Sequence, residues 1–370
     1  MADVIPDAGD RIGATLDRLV AGLTTLSHDG RFDEPNLDGT AGDYISFDAW
    51  EWPQGVGMFG LVQLWRAKGN DPALGRIIDG WYRRALDRGL PALNVNTTAP
   101  MLGLALYWDQ TRDPAFRAAL DDWADRLMTQ AGRTGFAAFQ HDVSDKLNAH
   151  ELWDDTLYMV GLFLAAYGQV SGRRALVDEA ERQFLSHAHF LADRRTGLWF
   201  HGWTFDGRHN FADALWARGN AWITAGFVDL FELADLSPAV RDHLASLLRD
   251  QVEALLPLQA SSGMWHTLLA EPGSYAETSA TAGFAYGLLK GARLGLGCDR
   301  WRGAGLRALD AVIGAVDAQG VVGGVSYGTR MGHDLQHYRD IPIQPTAYGQ
   351  SLAILALVEG RRHLTERNDR

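Results

Sequence analysis

The chain has 370 residues, 46% of them hydrophobic and 22% charged, a balance that supplies a large core and excludes disorder. A net charge of −12 with no basic stripe excludes nucleic acid as a partner; an anionic small substrate would need a local basic clamp. The single Cys298 excludes an intramolecular disulfide framework and makes a cysteine-based metal site implausible.

The opening MADVIPDAGDR has no basic stretch followed by an apolar one, so it does not resemble a secretory signal and a cytoplasmic location is expected. Segment 8–26 is loosely amphipathic. It is followed by 52–65, a run without a single Asp, Glu, Lys or Arg. The pair then recurs along the chain. The loosely one-sided 71–87 precedes the uncharged 94–108. Segment 113–130, with Phe116, Leu120, Trp123, Ala124, Leu127 and Met128 at helical spacing, precedes the uncharged 156–172. Segment 173–192 (Val177, Ala180, Phe184, Ala188, Leu191) precedes 219–228, and 236–257 (Val240, Leu244, Leu247, Leu248, Leu255) precedes 278–289. A looser 298–316 precedes the last uncharged run, 341–358.

A helix apolar on every side must be enclosed by protein or lipid. The last run is long enough to raise a membrane span, but its Pro342, Gln344, Pro345, Thr346 and Gln350 argue against lipid. Six buried helices alternating with six half-buried ones predict an all-α (α/α)6 barrel, a toroid of six helical hairpins. No Ser, Pro or Gly linker interrupts it, so residues 1–370 are expected to form a single domain. Gly135-Phe136, Gly197-Leu198-Trp199, Gly263-Met264-Trp265 and Gly320-Val321-Val322 follow outer helices and predict short strand or hairpin excursions on one face.

In such a ring the loops leading into the inner helices converge on one mouth, where function usually sits. Those segments carry Asp43, Asp48, Trp50 and Glu51 at the first inner helix, and Asn94 and Asn96 at the second. The third brings Glu151, Trp153, Asp154 and Asp155, the fourth Asp213, Trp216, Arg218 and Trp222, the fifth Glu277 and the sixth Gln344. Thirteen Trp residues serve either as core or as flat platforms for sugar rings. Asp213 and Glu277 have the ordinary explanation of carboxylates at helix N-termini. Asp154 and Asp155 run straight into an uncharged stretch, and a carboxyl beside Trp153 in an apolar mouth is expected to have a raised pKa, which suits a general acid. Arg218, between Trp216 and Trp222, suits a clamp for a substrate carboxylate or an ion pair with a neighbouring acidic residue.

Three other patterns carry no function. Gly55, Gly57 and Gly60 spell GxGxxG, but without a preceding buried strand they indicate close helix packing. His187 and His189 lie on different faces of an outer helix, which separates them as metal ligands. Neither GxSxG nor HExxH occurs.

The motifs ELWDDTLYM (151–159), TGLWFHGW (196–203), LWARGNAW (215–222) and WEWPQGVGMFGL (50–61) together resemble the unsaturated uronyl hydrolases of glycoside hydrolase family 105, the rhamnogalacturonyl type, over about residues 40–360. The resemblance implies hydration of the C4=C5 double bond of a terminal unsaturated uronic acid in lyase-generated oligosaccharides, without metal or organic cofactor. It implies Asp155 as general acid and base, Trp153 as a stacking platform, and His201, Trp216, Arg218 and Trp222 around the substrate, with Trp50 in the first motif. Members place a second Asp at the second inner helix, where this chain has Asn94 and Asn96. Other readings are an inverting glycosidase, which would need a second carboxylate roughly 6.5–9.5 Å from Asp155 such as Asp48, Asp213 or Glu277, a sugar epimerase of the same ring, and a carbohydrate-binding ring without chemistry.

Overall fold

The computed structural model describes residues 8–31 and 35–368, and these residues form a closed double ring of helices. The outer helices are α1 (Ala8–Thr24), α3 (Pro72–Arg88), α5 (Pro114–Gln130), α7 (Arg174–Leu191), α9 (Pro238–Leu255) and α11 (Asp299–Gly314). The inner ones are α2 (Trp52–Ala67), α4 (Val95–Thr111), α6 (Leu162–Ser171), α8 (Ala217–Leu233), α10 (Thr278–Arg293) and α13 (Ala347–Asn368); a short α12 (Leu335–Arg339) lies in the loop before α13. Each inner helix packs on the next, and α13 packs on both α10 and α2, which closes the ring. The uncharged runs thus became the inner helices and the one-sided segments the outer ones, because a helix surrounded by twelve-helix packing has no face on which to place a charge.

Helix starts are set by local chemistry. Asp71 caps α3 by accepting from Ala73 N and Leu74 N (both 2.9 Å), with Pro72 in the first turn. Asn94 and Thr97 cap α4 reciprocally. The sixth inner helix begins later than its uncharged run, at Ala347, because Pro342 and Pro345 hold 341–346 out of helical geometry. The GxGxxG glycines lie inside α2, and a Cβ on Gly60 would stand 2.3 Å from Ser351 Oγ of α13, so close helix contact explains them.

The expected excursions are tighter than hairpins. Single bridges join Arg133 to Phe139, Ala192 to Trp199 and Val316 to Val322, turned by Gly197 and Gly320 in the left-handed region. Regular pairing develops in one place among the described residues: β1 (Glu151–Trp153) runs antiparallel to β2 (Gly202–Thr204), with Trp153 opposite Gly202. No helix of the described residues is long and apolar enough to cross a membrane.

Candidate active site

The β1–β2 pair is what assembles the site. Asp154 N donates to His201 O (3.0 Å), so the residues that follow β1 lie beside the residue that precedes β2. His201 Nε2 stands 3.4 Å from Asp155 Oδ2. Directly after Asp155 the chain winds through a wider π-helical turn, Leu157–Gly161, before continuing as α6; such turns re-aim side chains and recur at functional sites.

Around the two carboxyls the supports are aromatic and imidazole groups. Trp153 is held by its Nε1 donating to Glu151 Oε2 (2.8 Å), and its ring stacks on His141 at 4.2 Å between centroids and 13° between planes. His141 Nδ1 lies 2.8 Å from Thr156 Oγ1. His201 Nδ1 lies 2.7 Å from the Tyr338 hydroxyl on α12. That hydroxyl accepts from Gly332 N and has two acceptors for its own proton, Nδ1 and the more distant, weaker Met331 Sδ (3.7 Å); donation to Nδ1 selects the tautomer that presents Nε2–H to Asp155.

The electrostatics differ from the expectation for Asp155. Burial pushes it up, but the hydrogen bond and charge of His201, together with Asp154 and His141, outweigh this and leave it below the ordinary carboxylate range. It is Asp154 that lies well above that range, through complete burial and the adjacent charge of Asp155. Burial depresses His141 to about 3 and moves His201 down as well.

Asp155 opens into a cavity of about 470 Å³ that is also lined by Trp52, Asn96, His141, Trp153, Trp216 and Arg218. Arg218, at the start of α8, is buried; it lies over the Trp216 ring at 4.5 Å and the Tyr348 ring at 5.0 Å. Its Nη2 donates to Tyr327 O (2.9 Å), its Nη1 bonds Ser326, and Nη1 stands 4.0 Å from Glu277 Oε1. Arg218 therefore pairs with an acidic residue and also lines the cavity.

The other sequence candidates divide. Asn96, Trp153 and Trp216 line the cavity, whereas His201 sits behind Asp155 and Trp222 is wholly buried against Trp52 and Tyr158. Trp50 and Asn94 line a neighbouring cavity of about 510 Å³ with Glu51; Asn94 caps α4, and Trp50 stacks on Trp81. Asn96 is bonded to the Tyr44 hydroxyl and the Glu51 carboxyl, so a carboxyl stands one bond behind the amide at the second inner helix. Burial raises Glu51 to about 7, against the bonds from Ser144 and Trp52 N. Sequence reasoning missed Tyr44, Trp52, His141, Asp145, Tyr327, Arg330 and His337, which also line the catalytic-side cavity. For Trp52 the signal was present, two positions beyond Trp50 in the same motif; the loop residues lie in no repeated pattern.

A closed ring of six helical hairpins, with the Asp155 carboxyl, a buried guanidinium and indoles gathered on one cavity at its mouth, has the architecture of a six-hairpin glycosidase. The profile of Glycosyl Hydrolase Family 88 matches residues 33–364, and the chain belongs to that family of glycoside hydrolases. A solved structure from Salmonella enterica serovar Paratyphi A, described as a possible member of family 105, is 40% identical with a TM-score of 0.95, covering 98% of this chain and 97% of that one. The unsaturated rhamnogalacturonyl hydrolase YesR of Bacillus subtilis is 30% identical over 314 residues, 84% of this chain and 89% of that protein. The unsaturated glucuronyl hydrolase of Bacillus sp. GL1, at 20% identity and a TM-score of 0.70 over 96% and 97% of the two chains, shares the fold.

Proposed function

We propose that this chain hydrates the C4=C5 double bond of a terminal unsaturated uronic acid, galacturonosyl- or glucuronosyl-linked, in lyase-generated oligosaccharides, with Asp155 as the proton donor. The observation that carries this is the single cavity shared by Asp155, Arg218 and the indoles of Trp52, Trp153 and Trp216: an acid, a cation for the sugar carboxylate and flat faces for the rings. The relatives named as unsaturated uronyl hydrolases support the substrate class.

The bond attacked is an enol ether. Asp155 delivers a proton to C4, oxocarbenium character develops at C5, and water adds there while returning a proton to the Asp155 carboxylate. The hemiketal formed at C5 opens, and the hemiacetal left at C1 expels the leaving sugar, giving a 4-deoxy-5-keto uronate. One proton-carrying centre suffices, so the amides at Asn94 and Asn96 do not interrupt the sequence. Arg218 holds the uronate and His201 orients Asp155. Direct hydrolysis by inversion has less support: Asp48 pairs with Arg84 on the outside, Asp213 is exposed and Glu277 caps α10, so none of these three carboxyls lines the cavity, and those that do besides Asp155, Asp145 and Asp340, are engaged by Arg330 and Gln336.

With a net charge of −12, nucleic acid is not among the proposed partners, and we place the enzyme in the cytoplasm, in keeping with its one free thiol at Cys298. The test follows the ultraviolet absorbance of unsaturated galacturonosyl and glucuronosyl disaccharides. One of them is expected to lose its absorbance with the native protein and to keep it with Asp155→Asn. No loss with either class would sink the reading.

A further inference from the structure

Asp154 has no part in the hydration as written, yet its surroundings are unusual for a structural carboxyl. The side chain is completely buried, and beyond the adjoining Asp155 itself no N–H or hydroxyl group of the described residues donates to either of its oxygens. It lies against the first turn of α8, where a Cβ on Gly219 would stand 2.1 Å from Oδ2. The group it meets is the Asp155 carboxyl, and polar atoms of Asp154, Asp155 and His201 lie within 4.8 Å of one another. Two carboxylates enclosed this closely cannot both be ionised, so the pair must hold a proton.

We propose that Asp154 is a positioning residue that keeps this proton on the pair and reloads Asp155 with it. The inference rests on Asp155 being the acid. Neutral Asp154 passes its proton to the Asp155 carboxylate, Asp155 gives it to C4, and the water adding at C5 returns one proton to the pair, so the cycle closes without another reactant. The surroundings agree in direction: burial and the charge of Asp155 keep Asp154 protonated, while His201 favours the ionised form of Asp155. The other charged or titratable groups facing the pair are Arg218 from α8, Tyr338 from α12 and His141 from the loop before β1. Arg218 favours ionisation of Asp154 and His141 that of Asp155, so Asp155 on its own would be unloaded at neutral pH.

The experiment compares kcat/KM against pH for the native protein, Asp154→Asn and Asp155→Asn. In Asp154→Asn the alkaline limb is expected to move at least about one pH unit lower, with kcat at pH 7 reduced about tenfold or more, restored on acidification, and KM within about twofold. A merely structural Asp154 would instead give a uniform loss or a raised KM with the limb unmoved, and that result overturns the proposal while leaving Asp155 in place. Activity retained by Asp155→Asn overturns both readings. Should Asp154→Asn fail to fold, infrared difference spectra of the native protein decide: a neutral carboxyl band persisting at pH 7 is expected, and its absence defeats the proposal. Inhibition by a chelator, reversed by a divalent cation, would also overturn it, because the three groups would then be sharing a cation rather than a proton.

Discussion

At Arg218 two demands meet in one side chain. Its planar fork reaches Ser326 and Tyr327 together, and its charge offsets the fully buried Glu277. Lys carries the charge but not the fork, so Arg218→Lys is expected to retain a near-native melting temperature while kcat/KM falls at least about tenfold, which corresponds to about 1.4 kcal/mol. Arg218→Met leaves the buried Glu277 its hydrogen bonds from Ser279, Ala280 and Ser326 but no counter-charge, and is expected to lower stability by about 3 kcal/mol, measured by denaturant unfolding. Equal stability for the two variants would show that Glu277 does not depend on the guanidinium. Neighbouring positions also show where residue-level reading of the sequence stops. Trp50 and Trp52, or Asn94 and Asn96, are two apart at a helix start, and which member faces the cavity depends on the dihedral angles of the cap. Asp154 and Asp155 pose the same difficulty more sharply: the sequence placed an acid at the apolar mouth, but the proton settles according to His201, which arrives 46 positions later along the chain through the β1–β2 pairing.

Among the elements, α8 and the π-helical turn at 157–161 define the space for the carboxyl pair. Gly219 is the third residue of α8, and in an ordinary helix Gly→Ala stabilises by about 1 kcal/mol. Here the added methyl would meet the Asp154 carboxyl at 2.1 Å, a contact that forces one of them to move. Gly219→Ala is therefore expected to reverse the propensity gain, lowering the melting temperature by several degrees, with kcat reduced about tenfold or more by displacement of the pair. A variant more stable and equally active would show that the Asp154 carboxyl has room to turn away. The helix itself was legible in the sequence as an uncharged run. The two three-residue strands were not, because no alternation develops over so few positions, and they are what brings His201 to Asp155.

The whole ring was legible because its pattern is global: six uncharged runs cannot be enclosed pairwise, and closing them on one another leaves the amphipathic segments outside. That enclosure also buries histidines and makes them harder to protonate. His187, on α7 behind β1, is completely buried with Nδ1 bonded to Gln183 O at 2.8 Å, and burial depresses it to about 4 from an ordinary 6.5. The unfolded chain protonates this residue as pH falls below 6.5, whereas the folded chain refuses the proton until about 4. Its contribution is therefore fully present above pH 6.5 and is lost as pH falls through that window. Glu51, raised to about 7 by burial, acts in the opposite direction, since the fold keeps a proton that the unfolded chain has released, and its contribution is lost as pH rises toward 7. The native pH dependence mixes such opposing contributions, but a single substitution isolates one. His187→Gln keeps a side-chain donor and removes the titration. Relative to this variant, the native protein is expected to lose about 1.4 kcal/mol of unfolding free energy per pH unit of acidification between about 6.5 and 4, with no change in the difference above pH 7. Denaturant unfolding at a series of pH values measures it; two curves that stay parallel from pH 7 to pH 4 would mean that His187 is free to protonate inside the ring.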